Sequence, residues 1–289
     1  MQSTVLARDE WQARAAAHRQ RVDVWVQPHL ERRAHGIAHP VHDFLFTYYS
    51  QRPAALRRWH PGYRVTLLEA PDYVEVKGYA TVSGGLSVSA GYLESQRPLI
   101  ESIRSLLAAT ASRPPTLGCF GLHEWAMVYR ADDVRHEWPL RLGSTGTDEV
   151  VESHRIGCSH FDAFRFFTEP ARPLNTLQPG RDDRPDFEQP GCLHVGMDLY
   201  KHAFRLTPLV PSELVADCFA LAWDIRELDM RASPYDFTDL GYQPVRIETT
   251  EGKAAYVDAQ HGFAERGAPL RQQLIEECGR LLGSPPAAD

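Results

Sequence analysis

One stretch organises the chain, Gly191-Cys-Leu-His-Val-Gly-Met-Asp-Leu-Tyr-Lys-His-Ala-Phe-Arg205. Its apolar residues recur at helical spacing and it follows a proline-glycine break, so we expect a helix that begins near its first residue. His194 and Asp198 are four residues apart, which places them on one side of that helix. Lys201 or His202 continues the same side. The pattern indicates either a partly exposed polar face or a site of chemistry.

The composition of the chain is that of an ordinary globular protein, with 43% hydrophobic and 24% charged residues among 289. No apolar run is long enough to cross a membrane, and the first residues lack the charged and apolar zones of a signal peptide. Five cysteines occur without a CxxC pair. This favours a reduced, cytoplasmic protein over a cysteine-rich zinc or iron–sulfur site. Because the net charge is -7, binding of DNA would need a local basic patch.

The periodicity predicts a helix-rich α+β protein, built as a single globular unit over residues 1–289, with a small antiparallel β element. We expect N-terminal helices over 1–62, the β element over 63–92 and a helical core over 93–289. Helical spacing is clearest in four segments: 8–33, 98–111, 211–230 and 250–282. The polar, proline-rich connection 168–190 predicts either a lid over a site or a linker. The sequence does not indicate an oligomeric state.

Four short segments combine imidazole or carboxylate groups with large aromatic residues, and they lie in apolar parts of the chain. They are His39-Pro-Val-His-Asp43, His123-Glu-Trp125, His160-Phe-Asp162, and His194 with Asp198. A buried histidine or carboxylate must be hydrogen-bonded, paired or metal-bound, so we expect some of these segments to face one another. Groups held in this way often mark functional sites, although purely structural networks do the same.

A metal centre is one kind of chemistry that these residues support. His160 and Asp162 have the spacing found in two-histidine, one-carboxylate iron sites, and His123 or His194 would complete the ligand set. The implied cofactor is iron or zinc, and the implied protein is a metal-dependent enzyme that acts on a small aromatic substrate. Because the H-x-D pattern is short and common, an ordinary structural pair explains it as well.

Catalysis without a cofactor is another possibility. One carboxylate among Asp198, Asp162 and Glu124 would activate water or stabilise positive charge at a sugar carbon. Lys201 beside Asp198 would instead act as an amine nucleophile if burial kept it unprotonated. An ordinary surface ion pair is the simpler interpretation of that lysine.

Residues 50–64 contain four arginines interleaved with aromatic and imidazole rings, and no acidic residue. Arg52, Arg57 and Arg58 therefore predict a surface for an anionic partner, DNA or a nucleoside, because guanidinium groups contact phosphates and rings stack on bases. A solvated helix face whose arginine stems cover core aromatics is the alternative. The sequence has no GxGxxG, GxxxxGK[ST], HExxH or GxSxG motif, which argues against the common nucleotide-cofactor loops and zinc-protease chemistry.

Five parts of the chain carry a resemblance to known proteins. They are His39-Pro-Val-His-Asp-Phe-Leu-Phe-Thr-Tyr-Tyr49, Cys119-Phe-Gly-Leu-His-Glu-Trp-Ala-Met-Val-Tyr-Arg130, His160-Phe-Asp-Ala-Phe-Arg-Phe-Phe167, Gln189-Pro-Gly-Cys-Leu-His194 with Met197-Asp-Leu-Tyr-Lys201, and Leu228-Asp-Met-Arg-Ala-Ser-Pro-Tyr-Asp236. Together they resemble a family of actinobacterial proteins commonly labelled 3-methyladenine DNA glycosylase. The resemblance implies hydrolysis of the N-glycosidic bond of a modified nucleobase, without a cofactor. The chain has no helix-hairpin-helix run ahead of a catalytic aspartate, so no catalytic residue is assigned by motif.

An enzyme of this kind needs aromatic walls on which a flipped base can stack. The residues expected to supply them are Trp125, Phe161, Phe164, Tyr48 and Tyr49. DNA would be held by the arginine patch. The leading hypothesis is therefore a hydrolase that releases an alkylated base, and its rivals are the metal-dependent enzyme and a non-catalytic protein that binds a small ligand.

Overall fold

The computed structural model describes residues 4–49, 51–131 and 138–283. It is helix-rich with one small sheet, which confirms the predicted α+β class. The strands are β1 (Thr4–Leu6), β2 (Val65–Leu67), β3 (Tyr79–Val82) and β4 (Gly85–Val88). The α-helices are α1 (Arg8–Ala34), α2 (Phe44–Thr47), α3 (Pro53–Arg57), α4 (Ala90–Ala111), α5 (Leu122–Ala126), α6 (Gly143–Glu152), α7 (Phe161–Phe164), α8 (Arg184–Phe187), α9 (Leu193–Arg205), α10 (Ser212–Arg231) and α11 (Thr250–Leu282).

The chain divides into two compact units. The first consists of Met1–Leu107, Leu199–Ala220 and Leu270–Asp289, and the second consists of Ala108–Asp198 and Leu221–Pro269. Four long helices, α4, α9, α10 and α11, contribute residues to both units. The single domain expected from the sequence stays a prediction. Among the described residues, no helix is long and apolar enough to cross a membrane.

The sheet belongs to the first unit and has the strand order β1-β2-β4-β3. Strand β4 pairs antiparallel with both β2 and β3, inside the region where the sequence predicted an antiparallel element. Strand β1 pairs in parallel with β2, so the sheet is mixed. A strand of three residues is too short to show an alternating pattern, and β1 was therefore not expected. Gly84, with a φ of 90°, makes the tight turn between β3 and β4.

The second unit contains α5 to α8 and the first residues of α9. Helix α9 confirms the helix expected at this stretch, and His194 and Asp198 are both buried on it. Helix α5 is short and has only five residues. Phe120 and Gly121, with φ values of 49° and 70°, are left-handed and prevent the helix from starting earlier. The chain therefore enters α5 through a sharp turn that carries Cys119.

Candidate functional site

The second unit contains a cavity of about 340 Å³. A volume of this size lies at the small end of the range for small-molecule sites. Three thiols, Cys119, Cys158 and Cys192, line it together with the imidazoles of His123 and His194. The sequence predicted a role for the two histidines and none for the thiols.

Cys119, His123 and Asp229 form a hydrogen-bonded chain at the wall of this cavity. The Sγ atom of Cys119 lies 3.5 Å from Nδ1 of His123. On the other side of the ring, Nε2 of His123 lies 2.8 Å from Oδ1 of Asp229. The carboxylate thus fixes the orientation of the imidazole and directs Nδ1 at the thiol. Cys119 is partly exposed and lines the cavity, whereas Asp229 is completely buried behind His123.

The local sequence explains how the thiol and the imidazole meet. Cys119 and His123 are four residues apart, and the Leu122 amide donates to the Cys119 carbonyl, so the turn already brings them to one side. Phe120 is a non-glycine residue in the left-handed region, which costs on the order of 1–3 kcal/mol. Strain of this kind occurs often at functional sites. The turn is anchored from α5, where the Trp125 indole donates to the Ala232 carbonyl at 2.9 Å.

Asp229 also forms an ion pair with a buried arginine. Nη1 of Arg226 lies 2.9 Å from Oδ2 of Asp229 and 3.3 Å from Oε1 of Glu124. Burial opposes ionisation of Asp229, but His123 and Arg226 outweigh it and hold the pKa of this carboxyl well below its ordinary value. Burial likewise opposes protonation of His123, but the Asp229 carboxylate outweighs it and holds the pKa of the imidazole well above its ordinary value. The arrangement therefore places an imidazolium beside the Cys119 thiol at neutral pH.

This electrostatic arrangement predicts a specific dependence of stability on pH. An unfolded histidine loses its proton near pH 6.5, whereas folded His123 keeps it to higher pH. The stabilisation that protonated His123 contributes is complete below about pH 6.5, and it disappears as the pH rises through the pKa of His123 in the folded protein. The free energies of unfolding of wild type and His123→Gln, measured in urea, should therefore differ most between about pH 4 and 6.5. Above that range the difference should shrink by up to about 1.4 kcal/mol per pH unit. A difference that stays constant up to about pH 8.5 would contradict the extra proton on folded His123.

His194 brings a second imidazole to the same place. Its ring stands edge-on to that of His123, with 4.5 Å between the centroids. Ligand atoms of His123, His194 and Asp229 all lie within 4.8 Å of one another. Burial and the charge of His123 lower the pKa of His194 well below its ordinary value, so the ring is neutral at pH 7. Two imidazoles and one carboxylate can hold a divalent transition metal, which would displace the proton between His123 and Asp229.

A second polar group lies beside the first. Nε2 of His160 is 3.4 Å from Oδ2 of Asp198, and ligand atoms of His160, Asp162 and Asp198 also lie within 4.8 Å of one another. Arg184 donates to Asp198 at 3.0 Å and to Glu188 at 2.5 Å. The guanidinium thereby compensates two buried carboxylates, and these ion pairs tie α8 to α9. The two groups are linked by the stacked rings of His160 and His194, whose centroids are 5.2 Å apart.

The other residues predicted for this part of the chain do not line the cavity. Glu124 is buried against Arg226, and Asp162 pairs with Arg165 at 3.2 Å. The same holds for the rings expected to stack on a base, which are Trp125, Phe161 and Phe164. Trp125 is completely buried in the core. Among the described residues, Phe187 supplies the phenyl ring of the cavity wall.

The remaining predicted site residues belong to the first unit: Tyr48, Tyr49, Arg52, Arg57, Arg58 and Lys201. Tyr48 stacks on Phe44, and Tyr49 stands edge-on to Tyr200. Arg57 forms an ion pair with Asp23.

The predicted arginine patch is split between two hollows of the first unit. Arg57 and Arg58 line a hollow of about 540 Å³ beside Trp11 and Trp59. Arg52 lines a different one of about 410 Å³. Binding of DNA or a nucleoside by these three arginines stays a prediction.

Three residues that sequence reasoning missed complete the site: Cys119, Arg226 and Asp229. The four-residue spacing of Cys119 and His123 was a usable signal, as was the three-residue spacing of Arg226 and Asp229 in a predicted helix. Neither spacing indicates that the two pairs meet. We compared the whole chain with models of known protein families, with curated proteins and with solved structures, and found no match to any of them.

Proposed function

We propose that the second unit is a cysteine-dependent hydrolase of small molecules. The observation that carries the proposal is the hydrogen-bonded chain from Cys119 through His123 to Asp229 at the wall of the cavity. A nucleophile, a base within hydrogen-bond reach and a third group that orients the base are the parts that covalent catalysis requires. The proposal places the protein in a reducing compartment such as the cytoplasm, because Cys119 acts only as a free thiol.

Each residue has a defined part in the reaction. The Cys119 thiolate attacks the carbonyl carbon of an ester or amide and forms a thioester. The proton held by His123 passes to the departing alcohol or amine, as the bond to that group breaks. Neutral His123 then takes a proton from water, the resulting hydroxide attacks the thioester, and the thiolate leaves as the carboxylic acid forms. Asp229 does not exchange protons, and its carboxylate stabilises the imidazolium at the start and end of the cycle.

Alkylation by iodoacetamide, followed by peptide mass spectrometry, tests the proposal. At about pH 7 we expect Cys119 to react at least about tenfold faster than Cys158 and Cys192. The latter two are internal controls, because burial raises the pKa of both thiols and keeps them protonated. In His123→Gln the rate at Cys119 should fall about tenfold or more, since the imidazolium is lost. Equal rates at the three thiols, or an unchanged rate in His123→Gln, would contradict the proposal.

A metal-dependent enzyme is the second candidate, and the convergence of His123, His194 and Asp229 favours it. A metal held by His123, His194 and Asp229 would remove the imidazolium, so added Zn²⁺ or Fe²⁺ should slow alkylation of Cys119. The metal content of protein purified without chelator separates the two candidates. Stoichiometric metal that is lost in His194→Ala, together with slow alkylation, supports the metal centre. Fast alkylation of metal-free protein that persists in His194→Ala supports the thiol nucleophile.

Release of an alkylated base stays a prediction of the family resemblance. The carboxylates that the residue pattern offers for this reaction are those of Asp198, Asp162 and Glu124, and each is engaged in an ion pair. The cysteine-dependent hydrolase and the glycosylase predict opposite results in one assay, the release of 3-methyladenine from alkylated DNA. Activity that survives Cys119→Ser and disappears in Asp198→Asn would favour the glycosylase.

A further inference from the structure

Arg113 is the guanidinium that lines the cavity among the described residues. Its Nη1 donates to two backbone carbonyls, that of Ala109 at 3.0 Å and that of Glu188 at 3.2 Å. Both acceptors are neutral, so they position the side chain without neutralising it. In the described part of the chain, Arg113 makes no ion pair with a carboxylate. An oriented, charged and uncompensated guanidinium at a cavity wall is typical of an anion-binding residue.

The geometry of this anchoring favours a planar anion. Because Nη1 is held by the two carbonyls, the edge formed by Nε and Nη2 remains for a ligand. Two parallel N–H groups match the two oxygens of a carboxylate. Asp186 also lines the cavity, but its side chain is exposed, so water and salt screen its charge. Arg113 is half-buried, and its charge is screened less.

We propose that Arg113 binds a carboxylate of the substrate, so that the preferred substrates are small esters or amides that carry a carboxylate elsewhere in the molecule. This inference rests on the proposed function, because it assumes that Cys119 attacks what Arg113 holds. Both residues line the same cavity of about 340 Å³, so one small molecule can contact both. Arg113 would then determine specificity, whereas Cys119 and His123 perform the reaction.

Two alkylating reagents that differ in one group test the inference. Iodoacetate carries a carboxylate, and iodoacetamide is its neutral counterpart of nearly the same shape. We would measure the ratio of their rates at Cys119, each normalised to the rate with free glutathione. In wild type we expect this ratio to exceed that of Arg113→Gln by about tenfold or more. Arg155→Gln removes the same charge from an exposed position that does not line the cavity, and its ratio should equal that of wild type.

The outcomes separate the inference from the proposed function. In one outcome, iodoacetamide alkylates Cys119 fast and selectively, but the ratio of the iodoacetate rate to the iodoacetamide rate is the same in wild type and Arg113→Gln. This outcome would overturn the carboxylate site alone. Failure of both reagents to modify Cys119 selectively would overturn the nucleophile and the carboxylate site together.

A second measurement guards against misfolding of the Arg113 variant. Succinate at millimolar concentration should protect Cys119 of the wild type from iodoacetamide, and should protect Arg113→Lys less, because lysine keeps the charge without the paired N–H groups. Absence of protection in the wild type would count against the inference.

Discussion

Replacement of Asp229 by alanine is expected to lower the free energy of unfolding by about 3–5 kcal/mol, because it removes a carboxylate from a buried ion-pair network. The carboxylate is completely buried and contacts His123 at 2.8 Å and Arg226 at 2.9 Å. Without it, the guanidinium of Arg226 still contacts Glu124 at 3.3 Å but loses its contact with the Asp229 carboxylate. Urea unfolding of the variant and the wild type at neutral pH measures the loss.

Asp224→Ala is the matched control for this prediction. Asp224 lies on the same helix, α10, and pairs with Arg266 at 2.6 Å, but both side chains are about half exposed. An exposed pair of this kind contributes at most about 1 kcal/mol, so the control should unfold nearly like the wild type. If the two variants lost similar amounts of unfolding free energy, burial of the network would not explain the contribution of Asp229 to stability. Asp229→Asn keeps the shape of the side chain, and it should slow alkylation of Cys119 because the imidazolium loses its counter-charge.

Trp125→Ala should cost about 3–5 kcal/mol of unfolding free energy, the range for truncation of a buried tryptophan. The side chain is completely buried, its indole donates to the Ala232 carbonyl, and Arg141 lies 5.4 Å above its ring. The sequence predicted that this residue stacks on a flipped base. The structure places it in the core, so its loss should appear in urea unfolding rather than in ligand affinity.

Trp125→Phe is the control that separates packing from hydrogen bonding. It retains most of the ring and removes the indole donor, so we expect a loss of about 1–3 kcal/mol from the unpaired Ala232 carbonyl and the smaller ring. A Trp125→Ala protein that unfolds like the wild type but no longer binds small molecules would restore the ligand-binding interpretation.

The convergence of buried polar segments could be predicted from the cost of leaving such groups unpaired. His123, His160 and His194 do meet in the second unit, whereas the segment around His39 belongs to the first unit. The identity of the partners could not be predicted. Asp229 is 106 residues from His123 in the sequence, and only tertiary packing brings them together.

The spacing of residues on α9 predicts which side chains share one side of the helix, but it does not predict which groups they contact. His194 and Asp198 share one side of the helix, as expected, yet they serve different partners. Side chains four residues apart on a helix are close enough to pair, but each of these two contacts groups on other elements of the second unit. His194 therefore lies against His123, and Asp198 lies against His160 and Arg184.

The discontinuity of the second unit has a consequence for synthesis on the ribosome. His123 lies in its first segment and Asp229 in its second, with Leu199–Ala220 of the first unit between the two segments. At about 5–20 residues per second, the carboxylate leaves the peptidyl transferase centre roughly 5–20 s after the imidazole that it orients. During that interval the nascent chain contains Cys119 and His123 but not the carboxylate that orients the imidazole. Under the proposed function, the hydrogen-bonded chain of Cys119, His123 and Asp229 can therefore form only after α10 has been synthesised.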